Sequence, residues 1–146
     1  MATLTDLATR MRATAKAIPI NTNELKKKVV ETIETDLVYV TPVDTSNALS
    51  KWKVSTAPVT DATFSPYYLG SHGSTRDQSA QEAIADAKQV IDGLKPGEPA
   101  YIGNAAPYIR RLNDDGYSKQ EPAGFVERAV LIGRKLIQGA SVTKIK

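Results

Sequence analysis

The stretch Tyr101–Val130 places the strongest constraint on how this chain folds. Its pattern predicts a short strand over 100–104, then a helical turn, an Asp-Asp-Gly turn and a helix that begins at Pro122. A polar loop containing Gln120 separates the two apolar elements. A simple hydrophobic core would not need so much polar detail, so we expect this stretch to carry the function.

Length and composition predict one soluble globular domain. The chain has 146 residues, of which 41% are hydrophobic and 24% charged. It contains no cysteine, which excludes disulfides, thiol chemistry and metal binding by cysteine. No apolar run approaches the roughly 18 residues that a membrane-spanning helix needs, and the N-terminus lacks the apolar core of a secretory signal. We therefore expect no contact with a membrane.

The net charge of +3 permits a DNA neighbour without requiring one, because 19 basic side chains are offset by 16 acidic ones. The basic residues are scattered, whereas dedicated nucleic-acid binders concentrate them on one face. The densest run is Lys26, Lys27 and Lys28. A solvated helix face is the favoured interpretation of this run, and a contact with DNA or with an acidic partner is the alternative.

Residues 3–18 have the spacing of a narrow amphipathic helix, which Thr3 or Thr5 could cap and which Pro19 is expected to end. Alanine occupies several positions of its apolar stripe, so the stripe is weak. We interpret residues 1–20 as an N-terminal helical arm that orders against a neighbouring molecule.

A second helix is predicted over 22–40, where apolar residues recur every three to four positions. Asn21 and Glu24 have the spacing of an N-cap residue and its capping-box partner. The same periodicity puts Glu34 largely on the solvent face, together with the lysine run.

Alternation of polar and apolar residues predicts a half-buried strand over 51–55. Trp52 and Val54 are expected to face the core, and the single tryptophan is interpreted as a core anchor. Lys51 and Lys53 are expected to face solvent.

The long connection over 57–75 contains Phe64, Tyr67 and Tyr68. Connections of this length are usually functional or disordered, and aromatic rings argue against disorder because they need a surface on which to pack. Another subunit could supply that surface, and packing in the chain's own core is the equally weighted alternative for the tyrosines.

Two further helices are predicted over 76–94 and 122–138. The first has an alanine-rich stripe that would let it lie close to its partner. The main domain is expected to span 21–138, and residues 139–146 form a short basic tail.

The sequence offers little support for catalysis. The single histidine, His72, has no evident acid to orient it, and Asp114–Asp115 is ordinary turn chemistry. A metal would need three or more converging ligands, and neither a P-loop nor a dinucleotide-binding fingerprint is present. We expect no enzyme activity and no cofactor.

The central stretch resembles the tail-completion or neck proteins of long-tailed bacteriophages. That family shares a Tyr-Ile strand, an Asn, a Pro-Tyr pair, a Leu-Asn turn ending in Gly, a Ser-x-Gln segment and a Pro-x-Gly-Phe-Val helix start. The matching residues are Tyr101, Ile102, Asn104, Pro107, Tyr108, Leu112, Asn113, Gly116, Ser118, Gln120, Pro122, Gly124, Phe125 and Val126. The segment Thr41–Thr45 resembles a second family mark, a Thr-Pro-Val-Asp-Thr-Gly turn, although Ser46 replaces the glycine.

The resemblance implies a virion protein at the head–tail junction, assembled in the host cytoplasm. Family members are α+β domains thought to form rings, often hexamers, on the axis of the tail. Such a ring would cap the tail tube or join it to the head connector, with double-stranded DNA passing through its lumen.

These arguments together predict a single-domain α+β fold, with helices packed on a small, mostly antiparallel sheet. Strands are expected near 50–57 and 99–104, with room for one more within 58–69. Alternative functions are a head-side stopper or adaptor and a DNA-binding accessory protein. The candidate DNA-channel contacts are the three lysines of 26–28. The candidate subunit contacts are Phe64, Tyr67, Tyr68, Arg110, Arg111, Tyr117 and Gln120.

Overall fold

A computed structural model describes residues 3–42, 47–58, 70, 72–106, 109–115, 120 and 123–143. Its elements confirm the predicted α+β class, with five helices and a small antiparallel sheet in one domain. In chain order they are α1 (Leu4–Val40), α2 (Asn47–Ser50), β1 (Trp52–Ser55), α3 (Arg76–Asp92), β2 (Tyr101–Asn104), α4 (Ile109–Asp114) and α5 (Phe125–Gln138).

The first two predicted helices are one continuous helix, α1, so the prediction that Pro19 ends a helix is wrong. Proline cannot donate to the carbonyl of Ala15 and its ring crowds that carbonyl, but its fixed φ suits a helix and the rest of the helical hydrogen bonds can form. Most of residues 7–17, which precede it, are Ala, Arg, Lys, Leu or Met, which are good helix formers, and the N-terminus is closed by a capping box between Thr3 and Asp6. At 37 residues, α1 is about 55 Å long.

The predicted cap at Asn21 is also wrong, because this residue lies inside α1. Its side chain instead donates a hydrogen bond from Nδ2 to the carbonyl of Val142, at 2.8 Å. A tertiary contact therefore explains the asparagine, and it holds the beginning of the C-terminal tail against α1.

The two strands pair antiparallel, with Trp52 opposite Asn104 and Val54 opposite Ile102. Trp52 and Val54 are buried, as predicted. The expectation that Lys51 faces solvent is wrong, since the residue is only 7% exposed in the turn that precedes β1. The additional strand expected within 58–69 falls almost entirely outside the described residues.

The core lies where α1, α3 and α5 meet the sheet, and small residues allow the close packing. The alanine stripe predicted on α3 is buried at Ala80, Ala83 and Ala87. On α5, Gly133 faces α1 so closely that an added Cβ would lie 2.4 Å from Cδ1 of Ile33. The two helices can approach this far only because position 133 has no side chain.

The helix predicted from Pro122 begins three residues later, at Phe125. Gly124 precedes it with a φ of +86°, a left-handed conformation that suits glycine. Pro122 itself lies outside the described residues. The helix predicted over 76–94 matches α3 more closely. It runs from Arg76 to Asp92, and Gly93 is its C-cap.

Candidate assembly surface

The polar loop of the central stretch is closed by Asn113, at the end of α4. Oδ1 of Asn113 accepts the backbone N–H of Val126 at 2.9 Å, and its carbonyl accepts the N–H of Gly124 at 2.7 Å. Its Nδ2 donates to the carboxylate of Glu127 at 3.1 Å and to Oδ1 of Asp114 at 2.9 Å. One buried side chain therefore caps α5 and joins it to α4.

A second asparagine fixes the other end of the stretch. Nδ2 of Asn104 donates to the carbonyl of Ala48 at 2.7 Å, and its Oδ1 accepts the N–H of Ala106 at 2.9 Å. The sheet is tied to α1 by a further bond, in which Nε1 of Trp52 donates to Oγ1 of Thr41 at 2.6 Å. The polar residues of this stretch were predicted to mark a functional loop. In the described residues, Asn104 and Asn113 instead stabilise the fold through hydrogen bonds between elements.

The residues predicted to contact other subunits are only partly described. Arg110 and Arg111 are exposed on α4, and Gln120 is exposed in the loop that follows. This places three polar members of the set at the surface near the closed loop. The aromatic members, Phe64, Tyr67, Tyr68 and Tyr117, lie outside the described residues.

Two of the three lysines predicted to line a DNA channel make internal contacts. Nζ of Lys26 donates to the carbonyls of Lys95 and Glu98, at 3.0 and 2.6 Å. Nζ of Lys27 donates to the carbonyl of Asp92 at 3.3 Å. Carbonyls at and beyond a helix C-terminus lack helical partners and attract cations, so these side chains stabilise the end of α3. Lys28 is exposed, and its contact with DNA stays a prediction.

Glu34 was expected from the sequence to face solvent, and that expectation is wrong, because the side chain is buried. It is only 1% exposed, and neither carboxyl oxygen has a hydrogen-bond partner among the described residues. Burial raises its pKa to about 7, and the ammonium of Lys53 partly opposes the rise. The available signal was spacing, because position 34 follows the buried Val30 by one helical turn and precedes Leu37 by another.

Lys53 shares this environment. Burial lowers its pKa, while Asp86 and Glu34 act in the opposite direction. The carboxylate of Asp86 lies 3.9 Å from Nζ of Lys53. The arrangement therefore combines a buried carboxyl group, Glu34, with a partly buried ammonium, Lys53, that also pairs with the more exposed Asp86.

No feature of the described residues adds support for catalysis. No group of three or more His, Asp or Glu side chains there is placed to hold a metal ion. His72 is exposed and adopts a φ of +56° in the turn before α3. No helix in the described part of the chain is long and apolar enough to cross a membrane.

Exposed large apolar side chains form rows in the first half of α1 and on the outer side of α5. On the arm, Leu4 is 86% exposed and Met11 63%, and on α5 Leu131 and Ile137 are about half exposed. Single exposed apolar residues are common, but a row of them on one helix is typical of a contact surface. These rows are the best candidates for assembly that the described residues contain.

Neither a protein-family model, nor a curated protein, nor a solved structure was found to match this chain.

Proposed function

We propose that this protein is a structural component of the head–tail junction of a long-tailed bacteriophage. It acts as a tail-completion or neck protein, which forms a ring that caps or joins the tail tube and surrounds the DNA channel. The ring is built from copies of this chain, and it performs no catalysis. The observation that carries the proposal is the resemblance of the stretch Tyr101–Val130 to that family.

The structural roles of the resembling residues support the proposal. Asn104 joins β2 to α2, Asn113 caps α5, and Thr41 accepts the hydrogen bond of the buried tryptophan. Leu112 and Phe125 are buried in the same core cluster. A chance sequence similarity would not be expected to fall on the residues that connect helices and strands. A family pattern that specifies a fold would be expected to fall on them.

The exposed surfaces also suit ring assembly. A closed ring of identical subunits needs two different patches on each subunit, which meet in the contact between neighbours. The arm of α1 and the outer side of α5 are two separate apolar patches of this kind. These two patches support self-assembly of any kind. The proposal that assembly takes place at the head–tail junction rests on the family resemblance alone.

A DNA-binding accessory protein is the rival of a different class, favoured by the pI near 9.1. Two of its best candidate contacts, Lys26 and Lys27, are directed at backbone carbonyls of the same chain. Phosphate binding would also give a steep loss of affinity with added salt, which a channel that lets DNA pass should not show.

Electron microscopy can test the proposal. Purified protein carrying a gold-labelled affinity tag is incubated with tail tubes isolated from the phage particles that contain it. We expect label at one end of each tube. Label along the whole tube, or none, would contradict the proposal. A duplex-DNA titration at two salt concentrations gives the parallel test, because tight and strongly salt-dependent binding would favour the accessory-protein alternative.

A further inference from the structure

The N-terminal arm, residues 4–20 of α1, carries an apolar stripe with no partner in the described chain. Along the helix the exposed apolar positions follow intervals of three, four and seven, which aligns them in a narrow seam. The seam consists of Leu4, Leu7, Met11 and Ile18. A seam of this width is typical of a helix that packs into a groove on another protein surface.

A groove that could receive this seam runs between α1 and α5. Its apolar side chains, Tyr39 and Ile132, are each more than one-third exposed. The two charged side chains that line it, Glu31 and Asp36, are both carboxylates. The remaining lining residues are Thr32 and Thr35. The groove therefore combines two apolar side chains with two carboxylates and two hydroxyl groups.

The charges of the two surfaces are complementary. The arm carries Arg10, Arg12 and Lys16 against a single acid, Asp6. Pairing of two arms would bring like charges together, whereas the acidic groove would bring unlike charges together. The nearest recorded cation to Glu31 is Nζ of Lys88, at 3.9 Å, in a solvent-exposed pair that contributes little by itself.

The arm cannot fill the groove of its own chain, because both lie on the same continuous helix. Ile18 precedes Glu31 by 13 positions, which separates them by about 20 Å along the axis. A helix cannot fold back on itself over that distance without breaking. An arm that occupies the groove must therefore come from another molecule.

We propose that the arm of one subunit docks in the α1–α5 groove of a second copy of this chain. The contact is heterologous, since two different surfaces meet, and it leaves one free arm and one free groove for further subunits. Repetition of the contact gives a ring where the rotation closes. The contact adds detail to the proposed function. Only the closure into a ring rests on that function, because docking of the arm in the groove does not require a phage tail.

Disulfide trapping tests the contact directly, because the natural chain has no cysteine. Two single variants, Met11→Cys in the arm and Tyr39→Cys in the groove, are mixed and oxidised. We expect mixed disulfide dimers to form several times more often than with the matched control Gln89→Cys, an exposed position on α3. A majority of Met11–Met11 cross-links would overturn the proposal in favour of paired arms, and equal trapping by control and groove variants would also overturn it.

Charge reversal provides an independent test on the uncrosslinked protein. Arg10→Glu should weaken self-association by about two- to five-fold, as expected for an exposed charge pair. Adding Asp36→Lys should restore it, whereas Gln89→Glu, at an exposed position on α3, should leave it unchanged. Failure of the restoration would contradict the arm–groove contact.

The two proposals can fail separately. Trapping of the arm in the groove by a protein that ignores tail tubes would support this contact and contradict the proposed function. Normal binding to tube ends by Leu7→Ser/Met11→Ser, with wild-type subunit number, would support the function and contradict the contact.

Discussion

Oδ1 of Asn113 accepts a hydrogen bond from the backbone N–H of Val126 at 2.9 Å, across 13 positions of the chain. The amide at the end of α4 thus serves as the missing N-cap of α5, whose own cap position is Gly124 and has no side chain to offer. The side chain of Asn113 therefore joins the end of α4 to the first turn of α5.

Replacing Asn113 by alanine should lower the free energy of unfolding by about 1–3 kcal/mol, because the N–H of Val126 loses its acceptor and Glu127 loses a donor. Urea denaturation followed by circular dichroism measures this. The matched control is Asp115→Ala, an exposed position two residues away, which should change stability by less than about 0.5 kcal/mol. Equal losses in both variants would show that the cap contributes nothing.

Glu34 should make stability depend on pH in an unusual direction for a carboxyl group. Its pKa is about 7 in the folded protein and 4.5 in the reference state. Between these values the folded state binds more protons than the unfolded state, so this group's contribution falls as the pH rises from about 4.5 to about 7 and is constant above. Glu34→Gln should therefore be more stable than wild type at pH 8, by about 3 kcal/mol, and nearly equal to it at pH 4.5.

Parallel urea titrations of wild type and Glu34→Gln at pH 4.5, 6 and 8 measure the difference. The control is Glu82→Gln, an exposed position on α3, which should change stability by less than about 0.5 kcal/mol. A Glu34→Gln difference that does not change with pH would mean that Glu34 is ionised normally in the folded protein.

Close approach of α1 and α5 predicts that Gly133→Ala is destabilising, by about 1–3 kcal/mol, because the new Cβ would overlap Cδ1 of Ile33. Ile33→Val removes that methyl group, so the double variant should lose less than the sum of the two single variants. Thermal unfolding of the four proteins gives this coupling. Gly139→Ala, where an added Cβ makes only ordinary contacts, serves as the control, and a strictly additive result would place the helices further apart.

Pro19 should limit the local stability of the arm. Pro19→Ala restores one backbone hydrogen bond and removes a steric conflict with the preceding turn, together about 3 kcal/mol in a helix interior. Hydrogen exchange of the amides before position 19 should slow strongly, whereas Thr14→Ala should slow it only slightly. Unchanged exchange in Pro19→Ala would mean that the arm is stabilised from elsewhere.

Periodicity located the elements whose stability comes from an apolar face. The pattern over 76–94 corresponds to α3, and the alternation at Trp52 and Val54 corresponds to β1. Local rules misread two places in α1. A proline after a helical pattern predicts a helix end, because it cannot donate the next helical hydrogen bond. Asn21 was predicted to be a cap from its spacing to Glu24, whereas its actual partner, Val142, is 121 positions away.

The burial of Glu34 was not predicted from the sequence either. Glu34 occupies a core-facing position of α1, but a glutamate is assigned to solvent by default since burying it is costly. Asn113 was recognisable as part of a resembling pattern, yet its role as a cap depends on the fold that brings α5 back to α4. Contacts between distant positions of the chain account for both omissions.

The most direct test of the central claim is the mass of the purified protein in solution, measured by light scattering with and without isolated tail tubes. We predict a ring of about six copies that forms alone or on the tubes, in line with the family resemblance and the two unlike apolar surfaces required for closure. A protein that remains a monomer in both samples, and that binds duplex DNA instead, would contradict the claim.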